Sequence, residues 1–327
     1  MSINQFGPVW CASGARNFFG EGWWFHRIFK ILFPFWFTWE GATLVTKTTT
    51  YDGRDGNMPL TKRLQPKEWF PICVVVSWVK NVALNAVGLS GPGAEPLFCD
   101  GRWQQWSEPF QISFGAQGET LQEKLDDFRR FLKLFLQQRF SSPVMLQVNE
   151  SCPNTEHFQQ QLEELIREIN AMLGVAHEHD LQIIIKLNAL FPPERITEFT
   201  NHPACAAICC SNTIPWGETI PWLPEDDPRQ IDWDKLFGTG LISPLKRLLG
   251  VGGGLSGEPL KEIVCEWVRR ARKVWDGHIN GCGGILRPSD VDDYFDAGAS
   301  SVSLGSIGFL RPWRMRATRD RAYARAA

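Results

Sequence analysis

Apolar residues in this chain come in short runs, and amphipathic stretches separate them. Ile72–Val76, Val144–Val148, Ile183–Leu187, Ala206–Cys210 and Val302–Leu304 predict short buried strands. Ahead of the 144–148 run, Leu121, Leu125, Phe128, Leu132, Phe135 and Leu136 recur at steps of four, three and one. They form one face of a helix, with Glu, Lys, Asp and Arg on the other. Leu162, Leu165, Ile166, Ile169, Met172 and Leu173 repeat the pattern before the 183–187 strand. Pro192-Pro193 follow that strand, and Ile263, Trp267 and Val268 mark a later helix. Such alternation predicts an α/β fold with a parallel sheet. No low-complexity linker divides the 327 residues, so the expectation is a single (β/α)8 TIM barrel spanning 1–327.

Composition narrows the function classes. With 43% hydrophobic and 21% charged residues the chain reads as folded, and 34 Lys+Arg against 36 Asp+Glu leave no basic field for nucleic acid. The nine cysteines are odd in number, irregularly spaced and without a Cys-x-x-Cys pair, which points to neither zinc nor a redox dithiol. His177-Glu-His179 lacks a third ligand nearby, so no metal is assigned. Free thiols, no signal-like N-terminus and no run of about 18 apolar residues predict a cytoplasmic protein.

Two segments stand apart. Trp23–Trp39 holds nine aromatic residues in 17, interrupted by Arg27, Lys30 and Pro34. Packing against the barrel, peripheral membrane contact, and docking of a partner or a second copy are the readings it admits. Arg311–Ala327 carries six arginines and predicts a solvated final helix, with docking to an acidic partner or anionic lipid as the sharper alternative.

In a barrel, chemistry sits where strands end. Here the ends read Ala12-Ser13-Gly14, Thr46-Lys47-Thr48, Asn149-Glu-Ser-Cys-Pro-Asn154, Lys186 and Ser211-Asn212-Thr213. Later come Gly252-Gly-Gly-Leu-Ser-Gly257, Gly281-Cys-Gly-Gly284 and Gly305-Ser306, while Asn85 opens Asn-Ala-Val-Gly88-Leu89. Glycine-rich turns at helix starts suit a cofactor phosphate, lysines suit developing negative charge, and four amides suit a planar ring bearing carbonyl and carboxylate groups.

In order and together, these pieces resemble the dihydroorotate dehydrogenase family over nearly the whole chain. The resemblance implies an FMN-dependent (β/α)8 barrel that oxidises dihydroorotate to orotate in pyrimidine synthesis. It implies that Cys152 is the catalytic base and that Lys47 lies between flavin and substrate. Asn85, Gly88, Leu89, Asn149, Asn154, Asn212 and Thr213 would then hold the substrate. Ala12, Ser13, Lys47, Thr48, Ser113, Asn149, Lys186, Ser211, Ser256, Gly257, Gly283, Gly284, Gly305 and Ser306 would hold FMN.

Cys152 resembles the soluble, class 1-like branch of that family, whereas Gly253–Leu260 reads more like the membrane-associated, quinone-reducing branch; Cys152 outweighs the loop because it changes the chemistry. Fumarate, quinone, or NAD through a partner subunit with flavin adenine dinucleotide and an iron–sulfur cluster are the acceptors this leaves, and a homodimer is a further expectation. Glu150 stands where the family usually has a small apolar residue and could disturb the substrate site. Gly56-Asn-Met-Pro-Leu60 lacks the family's usual Pro-rich, Arg-ended form. The alternatives are a dihydrouracil-type pyrimidine dehydrogenase and a catalytically silent flavin-barrel scaffold.

Overall fold

The structure is a computed structural model that describes residues 2–150, 158–238 and 242–327. Twelve strands are present among them: β1 (Val9–Cys11), β2 (Leu44–Val45), β3 (Val74–Ser77), β4 (Val82–Asn85), β5 (Phe110–Phe114), β6 (Val144–Asn149), β7 (Ile183–Leu187), β8 (Cys205–Cys210), β9 (Ile214–Pro215), β10 (Gly254–Gly257), β11 (His278–Cys282) and β12 (Ser301–Leu304). Eight of them form one parallel sheet in the order β1-β12-β11-β8-β7-β6-β5-β2. The ring closes where Cys11 N donates to Thr43 O at 2.8 Å and Thr43 N to Val9 O at 2.9 Å.

Alternation along the barrel strands separates two environments. On β5, Phe110, Ile112 and Phe114 face outward, and Phe114 stacks on Phe131 of the helix Leu121–Leu136 at 4.2 Å between centroids. Gln111 and Ser113 face the barrel interior, where Gln147 Nε2 donates to Gln111 Oε1 at 3.0 Å. A small interior cluster of Phe6, Trp10, Val45, Met145, Ile184, Ala207 and Cys209 fills the lower barrel. The larger core lies between strands and outer helices. Helix Leu121–Leu136 starts at a reciprocal cap: Glu123 N donates to Thr120 Oγ1 and Thr120 N to Glu123 Oε2. Loss of such a cap costs about 1 kcal/mol. The helix buries Leu125, Phe128, Leu132 and Phe135 as the periodicity predicts, but Leu121 and Leu136 at its two ends are exposed.

One expected barrel strand lies elsewhere. The run Ile72–Val76 becomes β3, half-buried, in a separate antiparallel sheet of order β3-β4-β10-β9. Only four residues link Ser77 to Val82, too few for the crossover a parallel neighbour needs, so β3 turns back on β4 as a hairpin. The Gly252–Gly257 stretch, read as a barrel strand end, is largely β10 of the same sheet. Its glycines are required: a Cβ on Gly254 would meet Thr213 Oγ1 at 2.2 Å, and one on Gly257 would meet Asn81 O at 2.2 Å.

The aromatic segment forms the helix Trp24–Leu32 and a following loop. His26, Phe37 and Trp39 are buried against the barrel, whereas Ile31, Leu32, Phe35 and Trp36 are exposed. The final helix, Met315–Ala326, is tied down by its arginines: Arg321 reaches Asp292 at 2.7 Å and Arg325 reaches Asp296 at 2.5 Å. Among the described residues no helix is long and apolar enough to cross a membrane.

Candidate active site

A cavity of about 890 Å³ opens at the C-terminal ends of the barrel strands, and the small antiparallel sheet forms one wall. It gathers most of the expected site residues. Ala12, Ser13, Lys47, Thr48, Asn149, Lys186, Ser211, Asn212 and Thr213 line its floor; Asn85, Gly88, Leu89 and Ser256 line the wall. Gly257, Gly283, Gly284, Gly305 and Ser306 line one end. Ser113 is buried one layer behind, and Cys152 and Asn154 lie outside the described residues.

The floor is a continuous hydrogen-bonded net centred on one hydroxyl. Thr48 Oγ1 lies 2.8 Å from Ser13 Oγ and 2.9 Å from Ser113 Oγ, and Asn149 Nδ2 donates to it at 3.1 Å. Asn212 Nδ2 donates to Asn149 Oδ1 at 2.7 Å, which fixes the orientation of the Asn149 amide. Ser113 therefore acts through Thr48. Polar groups at the ends of β1, β2, β5, β6 and β8 meet because barrel closure brings those ends to one rim.

Two lysines reach the same floor, each 6% exposed. Lys47 Nζ donates to Ser90 O at 2.5 Å and lies 5.2 Å from the centre of the Phe18 ring. Burial pushes its pKa down from the ordinary 10.5 to about 8. Its ammonium is thus held in place and incompletely neutralised, ready to meet an anion.

The glycine end is a backbone cradle. A Cβ on Gly284, whose φ is +66°, would meet Lys261 N at 2.6 Å and Gly257 O at 2.9 Å; one on Gly305 would meet Ala12 Cβ at 2.8 Å. Segments leaving β10, β11 and β12 approach so closely that only glycine fits. They do so beside the start of the 15-residue helix Leu260–Val274, where backbone N–H groups favour an anion.

Three polar side chains of the lining escaped the sequence reading. Asn188, two residues past Lys186, holds Thr213 O through Nδ2 at 2.7 Å. Ser303 and Cys282 line the floor from β12 and β11. The Cys282 thiol is pulled below the usual thiol range by hydrogen bonding from Cys209 and the nearby Lys186 ammonium, against its burial. Inward alternation on β11 and β12 would have flagged both. Glu150 does not line the cavity. Its backbone O accepts from Asn212 Nδ2 at 3.1 Å, while its carboxyl interacts with Lys124 and Glu168 of the outer helices. Burial first, then Glu168, pushes that carboxyl up to about 7, and Oε1 has no hydrogen-bond partner among the described residues. The loop Gly56–Leu60 contributes Met58 to the cavity.

Toward solvent the lining turns apolar, with Trp24, Phe29, Trp69, Phe70, Trp78 and Phe309 at the mouth.

Comparison with known proteins points to one family. The sequence model described as dihydroorotate dehydrogenase matches residues 241–318. The catalytic subunit of dihydroorotate dehydrogenase B (NAD(+)) from Caldicellulosiruptor bescii is 27% identical over 310 residues, covering 93% of this chain and 85% of that protein. Dihydroorotate dehydrogenase A (fumarate) from Lactobacillus delbrueckii subsp. bulgaricus is 27% identical over 280 residues, covering 82% of this chain and 76% of that one. The crystal structure of the Eimeria tenella enzyme DHODH in complex with ferulenol shares the fold, with a TM-score of 0.63 at 18% identity over 96% of this chain and 80% of that chain.

Proposed function

We propose that this chain is a member of the dihydroorotate dehydrogenase family that oxidises dihydroorotate to orotate in pyrimidine biosynthesis at the floor of this cavity, a reading its likeness to that family's model and relatives supports. The observation that carries the reading is the Ser13–Thr48–Asn149–Asn212 net, set beside two buried lysines and a glycine cradle. The cofactor is FMN. The cavity fits it: Gly257, Gly283, Gly284, Gly305 and Ser306 would take the phosphate, with the polar floor beneath the ring. When bound, FMN supplies the acceptor for the hydride from C6 of dihydroorotate.

The chain's own residues do the rest. Cys152 removes the proton from C5, and Lys47 donates to the negative charge that gathers on the ring carbonyl as that proton leaves. Asn85, Asn149, Asn154, Asn212 and Thr213 bind the ring amide, carbonyl and carboxylate groups, and Asn149 arrives pre-oriented by Thr48 and Asn212. Lys186 stands at the same floor as a second positive charge. The surface around Trp23–Trp39 is where the enzyme meets a membrane; an electron-transfer subunit and a second copy are the competing occupants.

The test is the visible spectrum of the purified protein before and after anaerobic addition of dihydroorotate. A yellow protein that bleaches with dihydroorotate and not with dihydrouracil is the expected result. Cys152→Ala should keep the yellow colour and slow bleaching by about 10²–10⁴. A yellow wild-type protein that stays yellow would overturn the reading.

A further inference from the structure

One nucleophile of the floor has no part in the proposed reaction. Cys282, the last residue of β11, lines the cavity, and it is the one described cysteine that does. Its carbonyl accepts from Ser211 N at 2.6 Å, which ties the rim of β11 to that of β8. Gly283 and Gly284 of the backbone cradle follow it directly.

Beneath Cys282 the barrel is polar. Cys209 Sγ lies 3.2 Å and Ser303 Oγ 2.7 Å from Asn280 Oδ1, and Asn280 Nδ2 donates to Ser301 Oγ at 2.8 Å. Cys209 and Ser303 are also hydrogen-bonding neighbours of the Cys282 sulfur. Each carries one proton with two acceptors in reach, so a negative sulfur can recruit either. The Lys186 ammonium attracts charge to the same atom. Cys209 first, then Lys186 and Ser303, hold the Cys282 thiol below the usual thiol range against its burial. Elsewhere burial wins: it pushes Cys11 up to about 11, and Cys205 and Cys265 up to about 12.

We infer that Cys282 is an oxidant-sensitive site of the cofactor-free protein, and that its oxidation by a peroxide keeps FMN out of the cavity. The inference rests on the proposed function only in that FMN fills this cavity. The sulfur attacks one oxygen of hydrogen peroxide. A sulfur–oxygen bond forms, the oxygen–oxygen bond breaks, and the second oxygen leaves as hydroxide, which takes a proton to become water. Sulfur loses two electrons and becomes a sulfenic acid, and the peroxide is reduced. The strand cannot draw the new oxygen back. Ser211 pins the Cys282 backbone, and the space around Gly284 is already closed by Lys261 N and Gly257 O. The oxygen therefore occupies the floor beside the cradle.

The test treats the full-length apoprotein with hydrogen peroxide, in a Cys152→Ala background that removes the other thiol expected at the site. One portion is trapped with dimedone and mapped by mass spectrometry, and another is titrated with FMN by fluorescence. Cys282 should carry the tag ahead of the exposed Cys99. FMN affinity should fall by about tenfold, the scale of overfilling a packed site, and dithiothreitol should restore it. FMN added before the peroxide should leave Cys282 untagged. Cys282→Ser, which keeps a small polar group, should bind FMN equally well with and without peroxide. An untagged Cys282 overturns the inference. So does a tagged Cys282 with unchanged FMN affinity, or a loss of affinity that Cys282→Ser shares. Bleaching of the untreated, FMN-loaded wild type by dihydroorotate reports on the proposed reaction separately. Peroxide-sensitive FMN binding without bleaching leaves Cys282 standing and removes that reaction; bleaching without a tag on Cys282 does the reverse.

Discussion

At the floor of the cavity a single hydroxyl, Thr48 Oγ1, has Ser13, Ser113 and Asn149 as hydrogen-bond partners within 3.1 Å. At the mouth, Trp24 meets Phe25, Trp69 and Phe70 ring to ring at 4.9 to 5.8 Å, with no shared hydrogen bond between the rings. Both regions line one cavity, yet they are held by different forces. Hydrogen bonds are directional, so each floor residue has one useful position, set by the end of its strand. Apolar contacts are not, so the mouth can be built from any segments that reach it. The floor should therefore answer substitution with lost chemistry, and the mouth with lost association.

Lys47 gives the largest expected effect. Lys47→Ala should retain FMN and slow flavin reduction by about 10²–10³, the usual cost of removing one donor to a developing anion, as read by anaerobic stopped flow. The pH profile sharpens the test. Cys152 gains its thiolate as pH rises from about 7 to 9, whereas in the free cavity Lys47 loses its proton above about 8. Bound anionic substrate opposes that loss, so kcat should climb across the range while kcat/KM turns down above about pH 8. Lys47→Arg, which never deprotonates in this range, should abolish the downturn. A Lys47→Ala enzyme with unchanged flavin reduction would erase the distinction between floor and mouth.

Glu150 sits on the boundary. Its backbone belongs to the floor through Asn212, and its carboxyl belongs to the helix layer. A carboxyl whose native pKa of about 7 exceeds its ordinary 4.5 binds its proton more tightly in the folded state. Its contribution to stability is therefore present below about pH 4.5 and declines as pH rises toward 7, by roughly 3 kcal/mol for a shift of this size. Glu150→Gln should flatten the fall in unfolding midpoint between pH 5 and pH 8, with flavin reduction changed less than about twofold. Urea unfolding at the two pH values measures it. An equal fall in wild type and variant would place the pH dependence elsewhere.

Gly284→Ala should be smaller still. The new methyl would press on Lys261 N from a residue at φ +66°, a strain of about 1–3 kcal/mol. FMN affinity, read by fluorescence titration of the apoprotein, should weaken by about tenfold to a hundredfold. No loss of affinity would show that the cradle does not hold the phosphate.

Much of the site was legible because strand ends carry their chemistry in consecutive residues. Thr46-Lys47-Thr48 and Ser211-Asn212-Thr213 announce polar groups directly after apolar runs, and the structure brings both to the cavity. The helix Leu121–Leu136 was legible because its apolar period is a local property of the chain. Other features were hidden. Phe110–Phe114 and His278–Cys282 place polar or small residues inward, so neither reads as an apolar run, although both are barrel strands.

The sequence by itself determined which residues could serve, since residue type, helical period and the order of strand ends are properties of neighbours along the chain. Tertiary structure decided where they serve. It put Ile72–Val76 in a covering sheet, set Ser113 behind Thr48, turned Glu150 toward the outer helices, and drew Trp24, Trp69, Trp78 and Phe309 to one cavity mouth. The physical reason is that periodicity reports that one face is buried but not what buries it. That choice belongs to barrel closure and loop length, which act between residues tens to hundreds of positions apart.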